Sequence, residues 1–502
     1  HLPRKLGGGL RRPARLSDLN VGVAPACIAA AAGNHPAFTE FDELGPYGDL
    51  DLTPEGGVTS REALFAKLRA KAAVTPPGQT ITGRGYNDNL VGGHPTAREL
   101  DAVTPRHPVI LRHSSGHRAV VNTLALTGAG ITIATQDPAG GRLVRGPDGE
   151  ATGIVLESAS GLFSKLRDSV PRPDQAAVIA AYRKQFDAFM AQGLTSIAVA
   201  GTGPDELEVF RALLQSGMPV QIYAMIRGDR VDWLLDNRNK PEWQVSGLTL
   251  RSVKMFHGNS LSGRTAWLYE PYAHAPTYFG LAPRMSQPEL NAAVQKAHDA
   301  GLQIATPSNG DREIDMTLTA YEAAQARNPR PDARHRIEHA SVVNAGILAR
   351  VKQDGVALAP HSYIINHGEK MEEFGAARWP WMHPNKRALD LGIPIGGNSD
   401  YPVSPALPLE RIQSLVTLRA RSNGKIYGDG QQLTVEQAVR AWTLGSATLQ
   451  FEEGQKGSLR PGKRADLVIL SADPWATDPE KIEAIKVDAT VIRGVVVFER
   501  RR

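Results

Sequence analysis

Cysteine is all but absent from this chain, with Cys27 the single example in 502 residues. One thiol excludes an internal disulfide framework and any cysteine-built zinc site. Cys27 sits in an apolar run (residues 25–29) and reads as a small core residue. Long apolar runs are missing too. No stretch approaches the roughly 20 uninterrupted apolar residues of a bilayer span, so no membrane role is expected. Aromatics are only 6% of the chain, and the basic residues that bring the net charge to +5 have none interleaved. The clusters Arg4, Lys5, Arg11, Arg12, Arg15 and Arg500 to Arg502 therefore read as solvated tails, with no nucleic-acid partner expected. The first residue is His1 rather than Met, which leaves any leader unread; a cytoplasmic location is the expectation.

What the chain does have is enough apolar content, 41%, to bury a large core. Strand-like runs at 194–199, 220–226, 248–256, 302–306, 336–339, 356–360 and 393–398 alternate with amphipathic stretches at 174–192, 204–214, 287–300, 312–327, 345–353 and 385–391. That alternation predicts α/β architecture with a parallel sheet. Seven strands are one short of a (β/α)8 TIM-type barrel, and the first strand is expected to lie before His1. Four regions follow. Residues 1–45 precede the pattern. Residues 46–165, rich in Gly and Pro with short β-like pieces, form an inserted β-rich subdomain over the barrel mouth. Residues 166–450 form the barrel, and 451–502 the C-terminal part of a small β-sandwich domain.

Several apolar runs end in residues able to bind metal or move protons. They are Val253-Lys254-Met255-Phe256, Arg336-Ile337-Glu338-His339 and Asn398-Ser399-Asp400, all expected at a barrel's C-terminal rim. With Gly83-Arg84-Gly85-Tyr86-Asn87, Ser115-Gly116-His117, Asn309-Gly310-Asp311 and Gly457-Ser458-Leu459-Arg460-Pro461-Gly462, they carry a resemblance. From about residue 60 onward the chain resembles the amidohydrolase superfamily, in the branch of N-substituted formamide deformylase and the YtcJ-like hydrolases.

The resemblance implies a metal-dependent hydrolase of a non-peptide C–N bond, an amide or N-substituted formamide, attacked by metal-bound hydroxide. Its substrate would be a small molecule; a homo-oligomer stays open. The cofactor implied is a divalent metal, zinc above all, as one or two ions. His339 and Asp400 match metal ligands of the sixth and eighth strands, and Asp400 would also be the general base. His1 could end the first strand's His-x-His pair. Lys254 matches a lysine that in some relatives is carboxylated and bridges two metals; an unmodified lysine paired with a carboxylate is the alternative. His117 could reach the substrate carbonyl as a catalytic residue. Glu157, His361 and Tyr86 are expected around the substrate, with His361 and His257 able to compensate for one departure from the pattern. Pro307 stands where a fifth-strand histidine belongs, and its side chain has no lone pair to offer. A degenerate barrel serving as a binding or assembly subunit is therefore the second reading, and a cyclic-amide hydrolase or deaminase the third.

Overall fold

The computed structural model describes residues 28–32, 49–54, 56–170 and 173–501. Its centre is a sheet of seven strands in the order Ile28–Ala32, Leu194–Thr202, Gln221–Arg227, Leu248–Lys254, Gln303–Ser308, Arg336–His339 and Ala357–Pro360. Every pairing is parallel. Consecutive strands from Leu194 onward are joined through helices, chiefly Pro204–Gln215, Gln287–Asp299, Asp311–Arg327 and Ala345–Gln353. Strands covered on both faces should be apolar or buried throughout. Leu194–Thr202, Gln303–Ser308 and Ala357–Pro360 are buried at every position.

An eighth position is filled without a regular strand. Leu358 bridges Ile395 in parallel, donates its N–H to Pro394 at 2.9 Å and accepts from Gly396 at 3.2 Å. Residues 393–398 were expected to form a strand, but Pro394 lacks an N–H, and Gly396 and Gly397 weaken any ladder. Gly397 has a packing reason to be glycine: an added Cβ would lie 2.4 Å from the Trp442 ring. The arrangement is that of a TIM-type barrel.

The first strand corrects the expectation that it precedes His1. Ile28–Ala32 pairs in parallel with Leu194–Thr202, with one register shift between Ile28 and Ala29. Four of its five residues are alanine, the best helix former, so no local strand signal exists and sheet pairing alone decides the conformation.

A separate six-stranded mixed sheet runs in the order Leu50–Asp51, Ile81–Tyr86, Val109–His113, Arg118–Val121, Ala151–Glu157 and Gly141–Arg145. It has cores of its own, around Leu64, Leu100 and Leu111 on one side and Val121, Leu143 and Phe163 on the other. Arg118 ties it to the barrel by donating to the Gly263 carbonyl at 2.9 Å. The C-terminal strands Leu467–Leu470, Val487–Ile492 and Val495–Glu499 make a three-stranded antiparallel sheet. Thr490 anchors it to the Gln175–Ala191 helix through the Met190 carbonyl at 2.7 Å. No described helix is long and apolar enough to cross a membrane.

Candidate metal centre and its surroundings

Strand ends deliver the polar side chains. The parallel register places His339 beside Ser308 on one side and Pro360 on the other, with His361 following immediately. His339 and His361 stack with ring centroids 4.2 Å apart and planes inclined by 22°. His361 Nε2 lies 3.2 Å from Asp400 Oδ2. One donor atom from each of His339, His361 and Asp400 falls within 4.8 Å of the others, all three residues being buried. Burial disfavours the imidazolium, so the pKa of His339 lies well below its usual value and that of His361 is lowered as well. Neutral imidazoles are the form that binds a cation.

The backbone at this rim is unusual. Glu157, His339, Ala340 and Asp400 all have positive φ, at 53°, 73°, 43° and 53°. Non-glycine residues adopt that region at a cost of order 1–3 kcal/mol each, and such positions cluster at functional sites.

Lys254 ends its strand fully buried, and its Nζ has no hydrogen-bond partner among the described residues. Burial lowers its pKa to about 8, against the pull of Glu338 and Asp400. Glu338 itself is claimed by the Arg336 guanidinium, which contacts both of its oxygens.

His117 comes from the inserted sheet. Its Nδ1 lies 2.7 Å from Glu157 Oε2, and the other Glu157 oxygen accepts from Thr265 Oγ1 and from Ser260 N at 3.3 Å. Burial opposes charge on His117, yet Glu157, with Asp400 and Glu313 further off, raises its pKa above the ordinary value. Glu157 thus orients His117 and the loop after Lys254.

That loop is pinned by Glu313, which sequence reasoning missed. Its carboxylate accepts from the backbone N–H groups of Trp267, Asn309, Asn259 and Gly310 at 2.8, 2.9, 3.1 and 3.2 Å. A glutamate at the third position of a helix is a capping signal, but its reach to residues 259 and 267 carries no local signature. Asp311, the first residue of the same helix, accepts from the backbone N–H groups of Arg312 and Tyr269.

Pro307 is accommodated in its strand, its carbonyl accepting from Gly258 at 2.9 Å. Gly258 must be glycine for that approach, since a Cβ would lie 2.3 Å from the Pro307 oxygen. The same contact brings His257 beside Pro307. Both line a cavity of about 170 Å³ with His117 and Glu157. Both ring nitrogens of His257 lack a hydrogen-bond partner among the described residues, and burial pushes its pKa down to about 4.

The structure therefore brings His339, His361, Asp400, Lys254, His117 and Glu157 to one mouth. It does not bring Tyr86 to the cavity wall. Tyr86 is fully buried in the inserted sheet, its hydroxyl 3.1 Å from His94 Nδ1 and its ring edge-on to His113. His1 lies outside the described residues. Also missed were Ser115, His113 and Asp88, although residues 113–117 contain two of them.

Comparison with known proteins agrees with this geometry. The amidohydrolase family profile matches residues 44–498. The chain is 29% identical to the putative amidohydrolase YtcJ of Bacillus subtilis, over 90% of this chain and 85% of the relative. It is 27% identical to N-substituted formamide deformylase of Arthrobacter pascens, over 85% and 80% of the two chains. The crystal structure of a metal-dependent hydrolase from Pyrococcus horikoshii superposes with a TM-score of 0.68 at 26% identity, covering 91% of this chain and 87% of that one. The profile match spans most of the sequence, and the chain belongs to the amidohydrolase family of hydrolases.

Proposed function

We propose that this protein is a metal-dependent hydrolase of a non-peptide C–N bond, acting on a small amide or N-substituted formamide. The observation that carries the reading is the convergence of His339, His361 and Asp400 within 4.8 Å at the barrel mouth, with the buried Lys254 amine, which has no hydrogen-bond partner among the described residues, on the same strand ends. Two neutral imidazoles and a carboxylate are a donor set that suits a divalent cation such as zinc. When bound, such a cation supplies a Lewis acid for the carbonyl oxygen and acidifies water towards a pKa of about 7.

This chain's residues do the rest. Asp400 accepts the proton as water adds to the carbonyl carbon, and returns it to the nitrogen as the C–N bond breaks. The strained backbone at Asp400 holds its carboxylate against His361 while it does so. His117, fixed by Glu157, contributes a positively biased imidazole where the carbonyl oxygen gains charge. Lys254, with its pKa at about 8, keeps a fraction of neutral amine at physiological pH, the form able to take up carbon dioxide as a carbamate, whose oxygens would then be available to a cation. The homology to a formamide deformylase supports the substrate class. The non-catalytic alternative is not favoured, because the donor set at the mouth is retained despite Pro307.

The test is elemental analysis of the full chain, followed by a panel of amides and formamides assayed on stripped and metal-reloaded protein. Near-stoichiometric divalent metal and turnover that returns on reloading are expected. A protein that holds no metal after reconstitution and cleaves none of the panel overturns the reading.

A further inference from the structure

A polar chain reaches the same mouth from the inserted sheet. His113 Nε2 lies 3.1 Å from Asp88 Oδ1, and His113 Nδ1 lies 2.9 Å from Ser115 Oγ. The backbone decides where the protons sit. Ser115 N–H donates to His113 Nδ1 at 3.1 Å, so Nδ1 carries the lone pair and the ring proton is on Nε2, facing Asp88. The Ser115 hydroxyl, 2.9 Å from the same nitrogen, shares that lone pair as a second donor, while its oxygen accepts from His117 N–H at 3.3 Å. One lone pair of Oγ remains. Ser115 lines the small cavity that it shares with His339, His361, Asp400 and Asn309.

The far end of the chain is built to stay charged. Asp88 lies 3.4 Å from the Lys370 amine, and His113 is wedged edge-on between Tyr86 and His94. Burial keeps the His113 ring neutral, since its pKa is lowered. A carboxylate polarising a neutral imidazole that in turn holds the hydroxyl proton raises the electron density on the serine oxygen. Such a hydroxyl has no proton for a carbonyl oxygen. It offers an acceptor.

In C–N hydrolysis the atom that becomes more positive is the leaving nitrogen. Water's oxygen bonds to the carbonyl carbon, one water proton moves to nitrogen, and the C–N electron pair leaves with it, giving a carboxylic acid and an amine. The N–H groups on that nitrogen strengthen as donors on the way, so an acceptor beside them binds the transition state better than the ground state. An ester oxygen has no such N–H.

We propose that Ser115, oriented by His113 and Asp88, accepts a hydrogen bond from the leaving nitrogen and selects substrates with an N–H at the scissile bond. Primary and secondary amides and formamides are favoured over matched esters and N,N-disubstituted amides. The inference rests on the C–N hydrolase reading above. Ser115 is the residue that touches substrate; His113 and Asp88 are positioning residues.

The experiment uses the metal-loaded full chain and matched pairs, formanilide with phenyl formate and with N-methylformanilide, extended to the acetyl series. Wild type is expected to cleave the anilides. Ser115→Ala should lower kcat on secondary anilides about 10- to 100-fold and leave the esters within about twofold, the cost of losing one charge-assisted hydrogen bond. Asp88→Asn should fall between them, with thermal stability measured alongside. If Ser115→Ala does not fold, Ser115→Cys, which keeps the donor but weakens the acceptor, should give the same selective drop. Equal losses on anilide and ester, or none on either, overturn the inference and leave the hydrolase reading intact. A wild type that cleaves esters alone removes both the inference and the C–N assignment. Cleavage of neither, with metal bound, removes the hydrolase reading and the inference with it.

Discussion

The two ends of the barrel treat buried histidine in opposite ways. At the N-terminal end of the strands, His298 Nδ1 meets His335 Nε2 at 2.8 Å, His298 Nε2 meets the Asn328 carbonyl at 2.7 Å, and His335 Nδ1 accepts from Ile304 N–H at 3.1 Å. All four nitrogens are used. At the C-terminal mouth, His339 and His361 stack and converge on Asp400, while His257 and the Lys254 amine have no hydrogen-bond partner among the described residues. A buried polar group without a partner costs roughly 1–3 kcal/mol, so a folded chain closes such groups wherever nothing is gained by leaving them open. Pairing at one end is architecture. Openness at the other marks the place where something binds.

The largest expected effect breaks the mouth alone. Asp400→Asn keeps the size and the contact with His361 but removes the proton acceptor, and kcat should fall by about 10²–10⁴ with the thermal midpoint nearly unchanged. Steady-state kinetics and a melting curve check it together. A variant retaining wild-type turnover would sink the role of Asp400.

A second prediction concerns pH and applies to both ends. Burial lowers the pKa of His335 to about 3 and of His257 to about 4. Each is neutral in the folded chain and takes up a proton on unfolding once the pH drops below about 6.5, the ordinary histidine value. The unfolded state then binds more protons, so stability rises with pH through this window. It should be fully present above about pH 6.5 and fall by about tenfold in the folding equilibrium per pH unit per histidine, down to pH 4 for His257 and pH 3 for His335. Denaturant titrations at pH 7.5, 6 and 5 on metal-free protein read this directly. A flat profile would mean that the rings are not buried as neutral imidazoles.

The fold and the residues of the mouth were legible in the sequence to different degrees, and the pairing of His298 with His335 was not. Strands from Leu194 to Pro360 could be read because continuous apolar runs mark a sheet buried on both faces. His339 and Asp400 could be read because they end such runs. Ile28–Ala32 could not, since its alanines favour helix and only the neighbouring strand makes it extended. Residues 393–398 read as a strand, yet proline and two glycines reduce them to a bridge. The Asp88–His113–Ser115 chain was hidden because Asp88 lies 25 residues from His113, and no spacing rule joins them. Glu313 was hidden likewise, its partners lying 46 and 54 residues away at Trp267 and Asn259. Motifs report side chains at strand ends; they do not report the hydrogen bonds that aim them.

The smallest effects sharpen the comparison most. His335→Leu strands His298 Nδ1 and the Ile304 N–H without partners in the core, which should cost about 2–4 kcal/mol. His257→Leu removes two nitrogens that bond to nothing among the described residues and replaces them with a side chain suited to the apolar wall beside Pro307 and Phe256. In metal-free protein it should change stability by less than about 0.5 kcal/mol, or raise it, because no unsatisfied group is created. Parallel melts of the two variants decide the matter. Equal destabilisation would show that the His257 imidazole is architecture after all; a loss at His335 alone would confirm that the mouth leaves its donors open at a standing cost to the fold, as a site kept for a ligand must.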